Sequence, residues 1–199
     1  MIRDIDSSMI TPDKLLTSRD MARLGCRDCE GCSDCCRGRA SAITLDPTDI
    51  RLLKEGLNYS FQGLLDGGFI TLSVVDGVVL PSLALKPESD ECIFLNEQGR
   101  CGIHSFRPGI CRMFPLARLW KEDGSFCYFL QEGECPRPGG AKIRIARWLG
   151  YPDIRGYEQQ VRTYHDALSA LRDQLKKDLS HEEQVCLQRS FLEHWFIRE

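Results

Sequence analysis

Between Cys26 and Cys36 the chain reads CRDCEGCSDCC, five of its eleven cysteines within eleven residues. Two thiolates separated by two residues can grip one tetrahedral ion, because the intervening turn brings both sulfurs to the same side. That spacing occurs three times in succession, at Cys26–Cys29, Cys29–Cys32 and Cys32–Cys35, with Cys36 directly after. Gly31, Ser33 and Asp34 suit tight turns better than regular structure. In extended backbone, neighbouring side chains point to opposite faces, so one ion rarely takes both Cys35 and Cys36. Two centres, or one polynuclear cluster, accommodate the pair better. The run therefore reads as a set of metal ligands rather than as buried small hydrophobes.

A disulfide framework is the main competitor. The first residues, MIRDIDSSMITPDKLL, carry charges at positions 3, 4 and 6 and resemble neither a signal peptide nor a membrane span. No later window reaches eighteen apolar residues, so no membrane association is expected. The expected location is cytoplasmic, where thiols stay reduced, and an odd cysteine count also argues against complete pairing. A formal charge of −3 supplies no field that would draw the protein onto nucleic acid or an anionic surface. The basic stretch RPGGAKIRIARW reads as a solvent-facing helix, and contact with nucleic acid is not expected.

Along its 199 residues the chain divides into a leader (1–25) with one short helix starting at Thr11 or Ser18, a cysteine-rich lobe (26–140) and a helical extension (141–199). In ITLDPTDIRLLKEG a short strand precedes a helix with Asp46 as N-cap, Pro47 at the first helical position and Gly56 beyond the end. Residues 69–85 show β-branched runs on either side of Asp76-Gly77, the signature of a tight hairpin. CIFLNEQGRCGIH reads as a second hairpin with Cys92 and Cys101 on its arms, and LARLW and SFCYFL, joined by KEDG, as a third. Residues 141–150 suggest a short basic helix ended by Gly150. From Ile154 the apolar residues Tyr157, Val161, Tyr164, Leu168, Leu171, Leu175 and Leu179 recur at steps of three and four, one face of a long helix. A last helix covers about 181–196. The fold class expected is α+β, a small loop-rich metal lobe with short β-hairpins followed by helices. The stripe on the 154–179 helix is read as a surface for a protein partner or a homodimer seam.

Further thiols lie downstream. Cys92, Cys101, Cys111 in RPGICRMFP and Cys135 in ECPRPGG are ligand candidates. Cys127 lies in the apolar run FCYFL and reads as core; Cys186 lies in a helical segment and reads as structural. His104, three residues after Cys101, is an alternative nitrogen donor. His165 falls beside the apolar helix face, His181 at a helix start and His194 in the tail. The chain has no H-E-x-x-H pair, no P-loop, no G-x-S-x-G elbow and no EF-hand loop.

CEGCSDCCRG, then ITLDPTDIRLL, then CIFLNEQGRCGIHSFRPGICRMFP, then CP resembles the YkgJ-type cysteine-cluster family, the CxxCxxCC proteins associated with zinc or iron chelation. The resemblance covers about residues 26–140. It implies metal binding, and carried over position by position it marks Cys29, Cys32, Cys35, Cys36, Cys92, Cys101, Cys111 and Cys135. Cys26 falls just outside the pattern, and no substrate is implied. The flagellin lysine-N-methylases carry a similar region within a longer chain, yet this sequence has no G-x-G-x-x-G nucleotide loop after a strand.

Zinc and iron–sulfur centres both accept four thiolates. Structural zinc usually uses two separated C-x2-C knuckles, and no second knuckle occurs downstream. The dense run with a remote Cys-Pro partly matches the ferredoxin arrangement, although Cys135 is far more distant than that pattern places it. The balance tips to iron–sulfur, with zinc the alternative. Arg107 and Arg112, with Arg37 less so, are expected to offset thiolate charge around the centre; the resemblance supports Arg112. The function expected is a metalloprotein with a redox or metal-dependent modification role. A zinc-stapled protein-interaction scaffold is the alternative, and an Fe–S-dependent methyltransferase-like enzyme a second one.

Overall fold

Local chemistry accounts for most of the elements in the computed structural model, which describes residues 10–24, 32–37, 43–135 and 141–198. The fold is α+β. The leader holds a 3-10 turn at Pro12–Lys14, behind Thr11, and a short strand β1 (Met21–Arg23). Helix α1 (Pro47–Leu57) begins with Asp46 accepting the Asp49 N–H while the Asp49 carboxylate accepts the Asp46 N–H, a reciprocal capping box. It does not stop at Gly56. The helix runs through that glycine and ends where Asn58 turns left-handed, because Gly56 is needed for close packing rather than for the turn.

Helix α2 (Phe61–Asp66) leads into strands β2 (Ile70–Val75) and β3 (Val78–Leu83), an antiparallel pair in the register Val75↔Val78. Asp76 and Gly77 have φ of 50° and 80°, as a tight turn with two left-handed residues requires. The segment from Cys92 to Cys101 departs from the hairpin expectation. Cys92 donates its N–H to the Cys36 carbonyl at 2.8 Å, so this arm bonds to the cysteine run instead of to a partner strand. Only isolated bridges remain there, Leu85↔Cys92 and Leu95↔Cys101, around a turn closed by Asn96 and Gly99.

The chain continues through α3 (Gly109–Met113), β4 (Leu116–Trp120), β5 (Phe126–Leu130), β6 (Lys142–Arg144) and α4 (Ile145–Leu149). β4 and β5 form the expected hairpin, and Cys127 is buried within it. Residues 141–150 form a strand followed by a helix, not one helix, because β6 is taken up in pairing with β1 (Met21↔Arg144). Gly150 ends α4 with φ 71°. Leu16 and Tyr128 exchange backbone bonds at 2.8 and 2.7 Å, which ties the leader to β5 as well.

Helix α5 (Ile154–Leu175) stops four residues before Leu179, and α6 (His181–Leu192) follows behind a Ser180–Glu183 capping box, passing into a π-helical turn at Glu193–Ile197. The α5 stripe packs inside the chain. Tyr164, Leu168 and Leu171 join Leu53, Phe61, Leu64 and Leu80 in the larger core, with Phe196 from the π turn. Each such buried side chain contributes about 2 kcal/mol. A smaller core gathers Leu24, Met113, Leu116, Tyr128, Ile145 and Leu149. Cys186, expected to be structural, is exposed on α6, because that helix turns its Cys186 side outward. Among the described residues, no helix is long and apolar enough to cross a membrane.

Candidate metal centre

Cys32, Cys35, Cys36, Cys92, Cys101 and Cys111 line one pocket of about 60 Å³. Three kinds of local structure bring them there. A 3-10 turn at Asp34–Cys36 sets the sulfurs of Cys35 and Cys36 3.9 Å apart. With about three residues per turn, neighbouring side chains diverge by about 120° rather than 180°, so both face the same space. The Cys36 carbonyl fixes Cys92 beside them, the Leu95 bridge fixes Cys101, and α3 supplies Cys111. All nine cysteines among the described residues are free thiols.

Hydrogen bonding sorts these thiols by acidity. Cys36 bonds the Cys101 sulfur, which with the Ile103 N–H and the charge of Arg107 brings Cys101 down to about 6 against the opposing effect of burial. The same Cys36 thiol brings Cys35 down to about 7. Cys36, whose proton serves Cys101 and Cys35, is pushed up. Burial raises Cys92, and burial with neighbouring negative charge raises Cys111 well above the ordinary thiol value. Cys101 is therefore mostly thiolate at neutral pH and Cys35 partly so, the form that binds metal, and the others lose protons as an ion arrives.

Among the described residues, no group of three or more Cys, His, Asp or Glu side chains is close enough to hold an ion as it stands. The sulfurs surround the space without meeting at a point. In chemistry they fit a soft metal centre: six donors are thiols, with the His104 imidazole beside them, and Ile43, Leu83, Ile103, Phe114 and Trp148 complete a largely apolar wall.

The other expected positions are distributed as follows. Arg107 lines the pocket, with its Nη1 2.8 Å from both His104 Nε2 and the His104 carbonyl; His104 lines the pocket too. Arg112 is not on the wall. Its Nε donates to the Arg107 carbonyl at 2.9 Å and its Nη2 to the Ser105 carbonyl at 2.5 Å, while the guanidinium lies over the Tyr151 ring. It braces the loop between Cys101 and Cys111. Cys135 is half-buried and off the pocket wall; Cys26 and Cys29 lie outside the described residues. Arg37 pairs with Glu91, which Lys86 also reaches at 3.1 Å.

Two features were not anticipated. Trp148, read as part of a solvent-facing helix, lines the pocket and donates its Nε1–H to the Met113 carbonyl at 3.2 Å. Behind α3 lies a polar knot in which buried Asp49 and Tyr157 meet partly buried Asp46 and Arg118. Burial, then the charge of Asp46, pushes Asp49 up to about 8. Burial opposes the Arg118 charge, and Tyr157 and Asp46 outweigh it to raise Arg118. The only sequence signal was Asp49 three residues after the Asp46 cap, which explains one helix and not the second contact.

A family model described as CxxCxxCC, "Putative zinc- or iron-chelating domain", matches residues 28–128, just over half of the chain. No curated protein and no solved structure matches it.

Proposed function

The chain belongs to the CxxCxxCC family, a metal-binding one, and from that premise we propose that its cysteine pocket holds a polynuclear thiolate centre, iron–sulfur in kind, with a redox or metal-dependent modification role. The observation that carries this reading is six thiols on one pocket wall. A single tetrahedral zinc takes four ligands, so six sulfurs exceed the needs of one ion. The 3.9 Å spacing of the Cys35 and Cys36 sulfurs is that of two thiolates on one tetrahedral metal, so the pair can share an ion and leaves the other sulfurs for a second metal. An iron–sulfur centre would supply one-electron chemistry. The chain's own residues would supply the thiolates, the Arg107 charge that offsets them, and the Phe114 and Trp148 wall that limits water.

Anaerobic purification of the full chain, with elemental analysis and a visible spectrum, tests this. Iron with acid-labile sulfide and a broad sulfur-to-iron absorption is the expected result. A colourless protein holding zinc alone would overturn it.

One observation favours a second reading, a zinc staple in a scaffold that binds protein. The pocket joins the 3-10 turn, the 92–101 loop and α3, segments with little regular pairing of their own, and holding such segments together is what structural zinc does.

A further inference from the structure

Helix α3 has five residues, too few to persist without outside support. It starts after Pro108, which supplies no side-chain cap, so the first N–H groups need acceptors from elsewhere. The Gly109 N–H finds one in Asp49 Oδ1 at 2.6 Å, sixty residues earlier in the chain. Asp49 is 3% exposed, and its other oxygen accepts the Asp46 N–H at 3.1 Å. One carboxylate thus closes the starts of two helices, α1 and α3. The α1 capping box holds Asp49 in its rotamer, so the acceptor offered to Gly109 is fixed from the α1 side.

The space around Gly109 is as restricted as its hydrogen bond. A β-carbon there would lie 2.5 Å from Tyr157 Oη, 3.1 Å from Tyr151 Oη and 3.5 Å from Asp49 Oδ1. The two tyrosine rings stack at 3.8 Å, and Arg118 donates to Tyr157 Oη at 3.2 Å, so this wall resists movement. Two residues on from Gly109, Cys111 faces the pocket. Any shift of the helix start moves that sulfur.

We propose that Asp49 is a positioning residue for the metal centre: its carboxyl oxygen, by capping α3 at Gly109, sets the place of the Cys111 sulfur in the pocket. The inference rests on the reading of this pocket as a metal site with Cys111 among its ligands. Asp49 is not on the pocket wall. It acts through the backbone of α3, with the Tyr151–Tyr157 stack as the opposing wall.

The test strips the full chain of metal with a chelator and reloads it with Co2+, whose thiolate-to-cobalt absorption grows with the number of thiolates bound. The wild-type chain shows that absorption, and Cys111→Ser lowers it. Asp49→Ala is expected to lower it by the same fraction as Cys111→Ser. Gly109→Ala keeps Asp49 but pushes the helix start off Tyr157, and is expected to do likewise. Adding Tyr157→Phe to Gly109→Ala removes the closest oxygen and restores part of the signal. Ser180→Ala, which weakens the α6 cap far from the pocket, lowers stability and leaves the absorption unchanged. If Asp49→Ala does not fold, the Gly109→Ala and Tyr157→Phe pair decides. Full wild-type absorption in folded Asp49→Ala or Gly109→Ala, with Cys111→Ser lowered, overturns the positioning role and spares the metal site. Unchanged absorption in Cys111→Ser also overturns it. No cobalt–thiolate absorption in the wild-type chain overturns the metal reading itself.

Discussion

Gly56 and Phe106 pack so closely that a β-carbon on Gly56 would lie 2.5 Å from the aromatic ring. Gly56 is inside α1, and Phe106 ends the 3-10 turn His104–Phe106 on the loop between Cys101 and Cys111. In an unconstrained helix Gly→Ala stabilises by about 1 kcal/mol. Here overpacking reverses the sign, and Gly56→Ala is expected to destabilise by about 1–3 kcal/mol, read from denaturant midpoints. Phe106→Leu in the same chain should recover part of the loss. A stabilised Gly56→Ala would mean that the ring is free to move away.

Thiol substitution separates the pocket cysteines from the rest. Cys32→Ser and Cys111→Ser are each expected to lower metal content and destabilise the lobe, because both residues line the pocket. Cys186→Ser should change neither, since Cys186 is exposed on α6. Metal and protein measured together on desalted samples check this. Full metal retention in both of the first two variants would remove them from the ligand set.

What the sequence made legible were features written in a few adjacent residues. Asp46-Pro47 marked the start of α1, Asp76-Gly77 the β2–β3 turn, and the period of Tyr157, Val161, Tyr164 and Leu168 the buried face of α5. Among the pocket thiols, Cys32 and Cys35 were legible from their C-x2-C spacing, while Cys92, Cys101 and Cys111 were marked by the family resemblance, which also marked Cys135, off the wall. The rest depends on partners distant in sequence. Nothing near Cys92 signals that its N–H will bond the Cys36 carbonyl rather than form a hairpin. Gly56 looks like a helix terminator until Phe106, fifty residues later, packs against it. Asp49 carries no signal beyond its place three residues after the Asp46 cap until Gly109 shares its side chain.

Arg112 holds its loop through a geometry that lysine lacks. The guanidinium donates to the Arg107 and Ser105 carbonyls together while lying 5.3 Å from the Tyr151 ring centre. Arg112→Lys keeps the charge but places one ammonium where a planar fork reached two acceptors. The expected loss is about 2 kcal/mol, in line with charged hydrogen bonds of this kind. Thermal unfolding of metal-free Arg112→Lys and wild-type chains measures it, and equal midpoints would show that the brace contributes nothing.

His165 gives the fold an acid sensitivity whose sign follows from its surroundings. Its ring stacks on Trp120 at a centroid distance of 3.5 Å, with Nδ1 3.7 Å from Asp166 Oδ1. Burial lowers its pKa from the ordinary 6.5; Asp166 opposes this, and Arg172 and Arg118 add to it. The folded chain therefore binds this proton less readily than the unfolded chain. The resulting stability is present above pH 6.5 and is lost as the pH falls through that value towards the lower folded pKa. His165→Phe keeps an aromatic ring on Trp120 and removes the titration. Urea midpoints at pH 7.5 and pH 5 should therefore fall further in the wild-type chain than in His165→Phe. Identical falls would mean that Asp166 fully offsets the cost of charging the half-buried imidazole.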